Sequence, residues 1–386
     1  MATYKEIFGT NIEVLASDPA NPVQGQVWYN STSNVVKGQG ASTVGAWATG
    51  GNINTARGYF GGAGTSNTAA LVFGGSTAPG TSTAVTESYN GLAWTEVNDL
   101  NTARRNMGGA GSSNSSVLAF FGLTPPSTLR TVTESYNGTS WTELNDGNTA
   151  RQGGAGRGIQ DSAIYAGGYD NTIEVNLAET WNGTCWTAVA NLNTNKYLLA
   201  GAAQNNTAAL TFGGYYPPIT YLAITESWNG TSWTEVNDLN TARYVLGGSG
   251  SSTSALAFGG DGAPAGYEAN TESWNGTCWT EVNDINTARI GMGSANGIDN
   301  TSALMFAGEE VIPTGGNVIA ITEEWNGTCW TEVADMSTAQ YSPGGGGITT
   351  SALAFGGNSP DPSPVTALTE EWNGLGSPTT VTFTDS

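Results

Sequence analysis

Residues 240–284 read NTARYVLGGSGSSTSALAFGGDGAPAGYEANTESWNGTCWTEVND, and this stretch predicts four short β-strands, a to d. Strand a is the glycine-rich piece after Arg243. Strand b covers residues 255–259 and is apolar almost throughout, as is typical of a strand buried on both faces. Strand c contains TESW, and strand d begins at Trp279. An Asn-Gly pair between c and d predicts a tight turn, because both residue types tolerate positive φ.

This pattern occurs seven times along the chain. An aromatic-Asn-Gly triplet recurs at intervals of 45 to 51 residues and begins at Tyr89, Tyr136, Trp181, Trp228, Trp274, Trp325 and Trp372. A tetrapeptide similar to NTAR begins at Asn54, Asn101, Asn148, Asn193, Asn240, Asn286 and Ser337. An apolar run ends in Gly-Gly or a variant at Gly75, Gly122, Gly168, Gly214, Gly260, Gly308 and Gly357. No segment has a sustained helical period, so the chain is predicted to be all-β.

Four strands in a repeat of about 47 residues are typical of a β-propeller blade. We therefore predict a seven-bladed propeller over residues 42–375, a short module over 1–41 and a C-terminal strand over 376–386. Strand a is expected to line the crowded centre, which explains its glycines. Only six repeats carry the tryptophan of strand d, and we favour the segment around Trp47 as the missing strand. Residues 379–384 (TTVTFT) are the alternative.

Composition excludes several classes of function. The 386 residues carry a net charge of −21 and contain no histidine, which excludes Ser-His-Asp triads and histidine-bound metals. So acidic a chain is a poor nucleic-acid binder, because phosphate contacts need Lys and Arg. The N-terminus does not resemble a secretory signal peptide, and no apolar run is long enough to span a membrane. Cys185, Cys278 and Cys329 occupy one repeat position that Ser or Ala fills elsewhere, so we expect no disulfide and no metal site.

The repeats resemble kelch repeats in four features. These are the diglycine after an apolar strand, the aromatic residue about fourteen residues on, the tryptophan that follows it, and the arginine that opens the next repeat. The resemblance covers about residues 42–375 and implies a propeller. Some kelch-like propellers are copper oxidases, but their copper needs histidines, which this chain lacks. The repeated sequence pattern NTAR…GGAG…ALAFGG…TESWNGTSWTE resembles the repeats of kelch-type proteins of marine phages. Residues 25–38 (GQVWYNSTSNVVKG) resemble a short segment found in phage tail-fibre and other virion proteins.

Glutamate and arginine recur at fixed repeat positions. The glutamates of strand c are Glu87, Glu134, Glu179, Glu226, Glu272, Glu323 and Glu370. The arginines are Arg57, Arg104, Arg151, Arg243 and Arg289, with Lys196 and Gln340 in the other two repeats. We expect structural pairs, in which each glutamate bonds the backbone of strand a or the repeat arginine. The repeat with Gln340 should then hold its glutamate differently. Paired carboxylates are also the groups that glycoside hydrolysis needs, which leaves an enzyme as an alternative.

The segment between strands b and c varies while its surroundings stay constant. We call this segment the b–c loop. All b–c loops of a propeller emerge on one face, and variable loops on a rigid scaffold are where recognition normally resides. The candidate binding residues on these loops are Tyr169, Tyr215, Tyr216, Tyr221, Tyr267, Glu309 and Glu310. Aromatic rings with polar tips suit sugar stacking or protein contact.

These observations favour a phage virion appendage, either tail-fibre-like or head-decorating. Its module over residues 1–41 is expected to bind other virion proteins, and its loop face a host receptor or surface glycan. We expect no cofactor, no catalytic residue and no membrane insertion, and homo-oligomerisation is left open. The alternatives are a carbohydrate-active hydrolase or lyase and a bacterial surface adhesin.

Overall fold

The computed structural model describes residues 12–19, 26–42, 45–218, 220–262, 266–297, 299–312, 315–360, 365–374 and 376–383. These residues form strands and turns with no helix, so the all-β prediction is confirmed. No helix that could cross a membrane occurs in this part of the chain. The chain divides into two units. One comprises Met1–Ala46 and Asn373–Ser386, and the other comprises Trp47–Trp372.

The larger unit holds seven four-stranded antiparallel sheets, each in the order a, b, c, d. Sheet 1 contains Gly61–Ser66, Ala69–Phe73, Thr86–Tyr89 and Trp94–Val97. Sheet 2 contains Gly108–Ser113, Ser116–Phe120, Thr133–Tyr136 and Trp141–Glu143. Sheet 3 contains Ala155–Ile159, Ser162–Ala166, Ala178–Trp181 and Trp186–Ala188. Sheet 4 contains Ala200–Asn205, Ala208–Phe212, Thr225–Trp228 and Trp233–Glu235.

The remaining sheets repeat this order. Sheet 5 contains Gly247–Ser251, Ser254–Phe258, Thr271–Trp274 and Trp279–Glu281. Sheet 6 contains Gly293–Asn296, Ala303–Phe306, Thr322–Trp325 and Trp330–Glu332. Sheet 7 contains Gly344–Ile348, Ser351–Phe355, Thr369–Asn373 and, from the other end of the sequence, Ala46–Thr49.

Short strands in the connections complete the unit. Three two-stranded ribbons are Leu123–Thr124 with Thr128–Leu129, Tyr215–Tyr216 with Thr220–Tyr221, and Glu309–Ile312 with Gly315–Val318. A three-stranded ribbon contains Arg243–Tyr244, Asp261–Gly262 and Gly266–Tyr267.

Strand b is the centre of each sheet and of the hydrophobic core. Four consecutive residues of Ala69–Phe73 are buried, and the same holds for strand b in every other sheet. This confirms that an apolar run without alternation marks a strand covered on both faces. Strand a needs glycine where it packs against the phenylalanine of strand b, because a Cβ at Gly61 would lie 2.2 Å from the nearest atom of the Phe73 ring.

The seven sheets contact one another through strand a. Strand a of each sheet from 1 to 6 contacts strand a of the next sheet, and strand a of sheet 7 contacts that of sheet 1. The architecture of this unit is therefore propeller-like.

Tryptophans of strand d join neighbouring sheets. In six of the seven sheets, the indole Nε1–H of this tryptophan donates to a threonine hydroxyl at the start of strand c in the preceding sheet, at 2.8 to 3.0 Å. The pairs are Trp94–Thr369, Trp141–Thr86, Trp186–Thr133, Trp279–Thr225, Trp330–Thr271 and Trp47–Thr322. Trp233 is the exception, because Ala178 takes the threonine position and leaves its buried Nε1–H without a partner.

Trp47 lies in the fourth strand of sheet 7, where its ring centroid is 5.0 Å from that of Phe306 and 5.5 Å from that of Trp372. The alternative strand was wrong, because residues 379–383 pair with Val35–Ser42 in the other unit; Thr384 lies outside the described residues. The indole explains the choice. It packs against Phe306 of sheet 6 and Trp372 of sheet 7, and its Nε1–H donates to the Thr322 hydroxyl at 2.9 Å.

In the described part of the smaller unit, four strands form a sheet in the order Glu13–Leu15, Val27–Asn30, Val35–Ser42 and Gly376–Phe383. The C-terminal strand, which we predicted as a separate tail, is therefore part of this sheet. Asp18 accepts hydrogen bonds from Trp28 at 3.0 Å and Asn30 at 2.8 Å, and Lys37 Nζ lies 2.6 Å away. These contacts, led by that of Lys37, lower the pKa of Asp18 to about 2. Residues 1–11 and 20–25 of the predicted module lie outside the described residues.

The Asn-Gly turns differ from the expectation in one respect. Only the glycine has positive φ, +92° at Gly276 and close to that in the other five c–d turns. Asn275 instead uses its side chain, whose Oδ1 accepts the backbone N–H of Thr277 at 2.9 Å and of Cys278 at 3.0 Å. The asparagine is thus required as an acceptor that caps the turn.

Candidate functional site

The loops at one end of the sheets form the candidate site. The NTAR-like segment precedes strand a and the b–c loop precedes strand c, so both lie at the same end of an antiparallel sheet. We call the recurring arginine, or Lys196 in its place, the repeat cation; Gln340 holds the same position in the seventh repeat. The residue after this position forms a backbone bridge with the residue after the diglycine, as in Tyr197 with Tyr215. Similar bridges join Gly58 with Ser76, Arg105 with Leu123, Gln152 with Tyr169, Ile290 with Glu309, and Tyr341 with Asn358. Arg243–Tyr244 pairs with Asp261–Gly262 in the same manner.

Buried ion pairs lie beneath these loops. Six repeats place the cation against the strand c glutamate of the same repeat, with side chains at most 3% exposed. The pairs are Arg57–Glu87, Arg104–Glu134, Arg151–Glu179, Lys196–Glu226, Arg243–Glu272 and Arg289–Glu323. Glycoside hydrolysis needs carboxylates that reach a substrate, and these carboxylates are shielded from solvent.

The first repeat shows the full geometry. Glu87 Oε2 accepts the backbone N–H of Asn54 at 2.6 Å and its side-chain amide at 2.7 Å, and Oε1 accepts the N–H of Thr55 at 3.2 Å. Arg57 donates to Oε1 and to the carbonyls of Gly74 and Val85. The bonded backbone is therefore that of the NTAR segment, ahead of strand a. Of the two expected partners of the glutamate, the repeat arginine is present and the strand a backbone is not. The difference arises because the cation must reach across the end of the sheet to strand c.

Two repeats depart from this geometry. Lys196 Nζ lies 3.1 Å from Glu226 Oε1 but hydrogen-bonds no carbonyl, because an ammonium lacks the fork of a guanidinium. Gln340 is fully buried, and neither polar atom of its amide has a partner. Glu370 keeps the backbone N–H groups of Ser337 at 2.7 Å and Thr338 at 3.2 Å.

A left-handed backbone position follows the bridge in every repeat. The second residue after the repeat cation has a φ between +50° and +65° at Tyr59, Asn106, Gly153, Leu198, Val245, Gly291 and Ser342. Backbone hydrogen bonds link several of these residues to the equivalent residue of the preceding repeat, for example Asn106 N to Tyr59 O at 2.9 Å. This conformation is costly for Leu198 and Val245, so the surrounding backbone fixes the loop end firmly.

Tyrosines of sheets 3 to 5 cluster on these bridges. Tyr221 stacks on Tyr244 with ring centroids 5.2 Å apart, and Tyr215 lies 5.6 Å from Tyr244. Tyr169 packs 5.8 Å from Tyr197, which the Tyr215 bridge joins to the first group. Burial, followed by the charge and hydrogen bond of Asp261, raises the pKa of Tyr244 to about 12.

Carboxylates continue this surface toward sheet 6. The Tyr267 hydroxyl donates to Glu309 Oε1 at 2.6 Å, and burial together with this bond raises the pKa of Tyr267. Glu310 Oε1 accepts the side-chain amide of Asn317 at 2.8 Å. Tyr216 is 43% exposed at the tip of its ribbon and has no ring contact with the cluster. The candidate loop residues therefore lie at one end of the sheets, but they do not form one cluster. Ring contacts and a bridge connect Tyr169, Tyr215 and Tyr221, and a hydrogen bond connects Tyr267 with Glu309. Tyr216 and Glu310 lie outside both groups.

Three tyrosines that sequence reasoning missed belong to this surface: Tyr197, Tyr244 and Tyr341. Each directly follows the repeat cation, or Gln340 in its place, and that position varies as freely as the b–c loops. The same contrast between constant and variable positions would have identified them. We call the set Tyr169, Tyr197, Tyr215, Tyr216, Tyr221, Tyr244, Tyr267 and Tyr341 the tyrosine face.

A cavity of about 350 Å³ opens beside the tyrosine face. Its lining includes Tyr59, Asn106, Gln152, Tyr197 and Leu198, which come from adjacent repeats. Among the described residues, no group of three or more acidic or cysteine side chains is placed to hold a metal ion. Cys185, Cys278 and Cys329 are free thiols in c–d turns, at the opposite end of the sheets.

No family model matches the chain, and no curated protein matches it significantly.

Proposed function

We propose that this chain is a binding protein whose tyrosine face recognises a surface glycan. The observation that carries the proposal is the clustering of Tyr169, Tyr197, Tyr215, Tyr221 and Tyr244, from three adjacent repeats, at the loop end of the sheets. Tyrosine presents a large flat surface and loses little conformational entropy on binding. Sugar rings stack on such surfaces. Phenol hydroxyls donate hydrogen bonds to sugar hydroxyls and accept them, and carboxylates such as Glu309 accept hydrogen bonds from sugar hydroxyls.

The proposed scaffold is a seven-bladed, kelch-like β-propeller. Its support is the succession of strand a contacts from sheet 1 to sheet 7 and back to sheet 1. The Trp47–Thr322 and Trp94–Thr369 hydrogen bonds, which join sheet 7 to both of its neighbours, add to that support. Such a scaffold holds its loops rigidly, so recognition needs little ordering of the protein.

We further propose that the protein is a phage virion appendage. Support comes from the resemblance of the repeats and of residues 25–38 to virion proteins. The smaller unit would bind other virion proteins, leaving the tyrosine face for the host. Mass spectrometry of purified particles tests this assignment, and absence of the protein from intact particles overturns it.

Glycan binding is tested with purified chain on an array of bacterial surface polysaccharides. Tyr244→Ala is expected to weaken binding at least tenfold, whereas Tyr244→Phe keeps the ring and most of the affinity. Leu92→Ala is the matched control, since Leu92 is 83% exposed in a c–d turn at the other end of the sheet. Equal binding by Tyr244→Ala and the unaltered chain contradicts the proposal. Release of new reducing ends from a bound polysaccharide would instead establish the hydrolase alternative.

A further inference from the structure

In the seventh repeat, a buried carboxylate has no arginine or lysine side chain beside it. Glu370 is 2% exposed, like the glutamates of the other repeats, but Gln340 stands where five repeats have arginine and one has lysine. Within the described residues, the six other glutamates each have a cation within 3.1 Å.

The seventh repeat has also lost a second donor. Ser337 replaces the asparagine whose side-chain amide bonds the glutamate in the first repeat. Glu87 receives four hydrogen bonds from three residues, whereas Glu370 receives two, both from backbone N–H groups. A buried carboxylate with this little compensation is costly unless another positive charge is present.

The oxygens that the guanidinium would satisfy remain in place. Arg57 donates to the carbonyls of Gly74 and Val85, and these two residues are joined by a backbone bond at 3.1 Å. Gly356 and Leu368 are their counterparts, joined by the same bond at 3.0 Å. The fully buried amide of Gln340 adds an oxygen with no partner.

We propose that a monovalent metal cation, Na⁺ or K⁺, occupies the guanidinium position of the seventh repeat. Its ligands would be a carboxylate oxygen of Glu370, the Gln340 side-chain oxygen and the carbonyls of Gly356 and Leu368. All are hard oxygen donors, which such cations prefer. One carboxylate carries one negative charge, so a monovalent ion restores the neutrality that arginine gives elsewhere. A divalent ion would leave an excess positive charge in the core.

Thermal unfolding at constant ionic strength tests the site. The melting temperature is measured in sodium, potassium and tetramethylammonium chloride, since the last cation is too large to enter. A cation at ten times its Kd increases the folded-to-unfolded ratio about 11-fold. We expect a higher melting temperature in Na⁺ or K⁺ than in tetramethylammonium, and no such difference in Gln340→Arg, whose guanidinium fills the site.

Gln204→Arg is the matched control. It adds the same charge at an exposed position of strand a and should retain the cation dependence. If Gln340→Arg does not fold, Glu370→Gln serves instead, because it removes the charged ligand and should also abolish the dependence. Equal melting in all three salts, which is what a bound water alone would give, overturns the proposal. So does a cation dependence that persists in Gln340→Arg. Anomalous scattering from Rb⁺ or Tl⁺ beside Glu370 in soaked crystals would support the site directly.

Discussion

The orphaned indole of Trp233 allows a decisive test of how the sheets are joined. Six strand d tryptophans donate to a threonine of the preceding sheet, and Trp233 faces Ala178 instead. Replacing Ala178 with threonine should supply the missing acceptor. Ala178 pairs with Ala166, whereas the corresponding threonine in sheets 1, 2, 4, 5 and 6 pairs with phenylalanine, so the hydroxyl has room.

The expected gain in the free energy of unfolding follows from the cost of burying the Trp233 indole N–H without a hydrogen-bond partner. A buried donor without a partner costs about 1–3 kcal/mol, and a new neutral hydrogen bond contributes about 1 kcal/mol net. Ordering the new side chain removes part of that gain, so we expect Ala178→Thr to raise the free energy of unfolding by about 1–2 kcal/mol. Thr225→Val should do the opposite, lowering it by about 1–3 kcal/mol, because Trp279 then becomes the orphan.

Ala178→Val separates the hydroxyl from the added volume. Urea midpoints at constant m-value measure the three variants, and the exchange rate of the Trp233 indole proton reports the local effect. The hydrogen-bond explanation requires Ala178→Thr to be more stable than Ala178→Val, with slower indole exchange. Equal stability of these two variants, or a neutral Thr225→Val, would refute it.

Three further predictions concern charge and backbone. In tetramethylammonium chloride, Glu87→Gln should cost about 3–5 kcal/mol because it leaves an uncompensated buried arginine, and Glu370→Gln should cost clearly less; equal urea midpoints for the two variants would contradict this. Because the pKa of Asp18 is depressed from 3.8 to about 2, its stabilisation of the smaller unit is complete above pH about 4 and is lost as the pH falls through 2. The chemical shift of the Trp28 indole proton should titrate with a midpoint near pH 2, and this titration should be absent in Asp18→Asn. A midpoint near pH 4 would contradict the prediction. Gly80→Ala should cost only about 1–2 kcal/mol for its φ of +78°, since the added Cβ meets open space. Gly75→Ala should cost more, because its Cβ would lie 2.8 Å from the Gly58 carbonyl oxygen; similar thermal midpoints would exclude that clash.

Much of the fold was predictable because its signals are local. The apolar run of strand b, the glycines of strand a and the Asn-Gly turn each lie within a few residues of the structure they specify. The role of Asn275 was not predictable in detail, because asparagine suits both a left-handed backbone and a side-chain cap. Only the backbone angles distinguish these two uses.

The candidate site was predictable in part. Variation in the b–c loops indicated Tyr215 and Tyr221, but Tyr244 precedes strand a in the next repeat and joins them only through packing. Glu309 was chosen for its charge, and its bond to Tyr267 depends on two loops 42 residues apart. Side chains from different repeats meet where the sheets pack, and single-repeat patterns carry no information on that packing.

The sequence by itself determined the strand content, the seven copies of the repeat and the fixed positions of glutamate and cation. These features depend on periodicity and turn chemistry, which act over a few residues. Only the tertiary structure decided that Trp47 belongs to sheet 7, that the C-terminal strand joins the smaller unit, and that Trp233 lacks a partner. Each of these depends on how segments distant in sequence pack, where the volume of a side chain and the position of one acceptor decide between strands of similar local propensity.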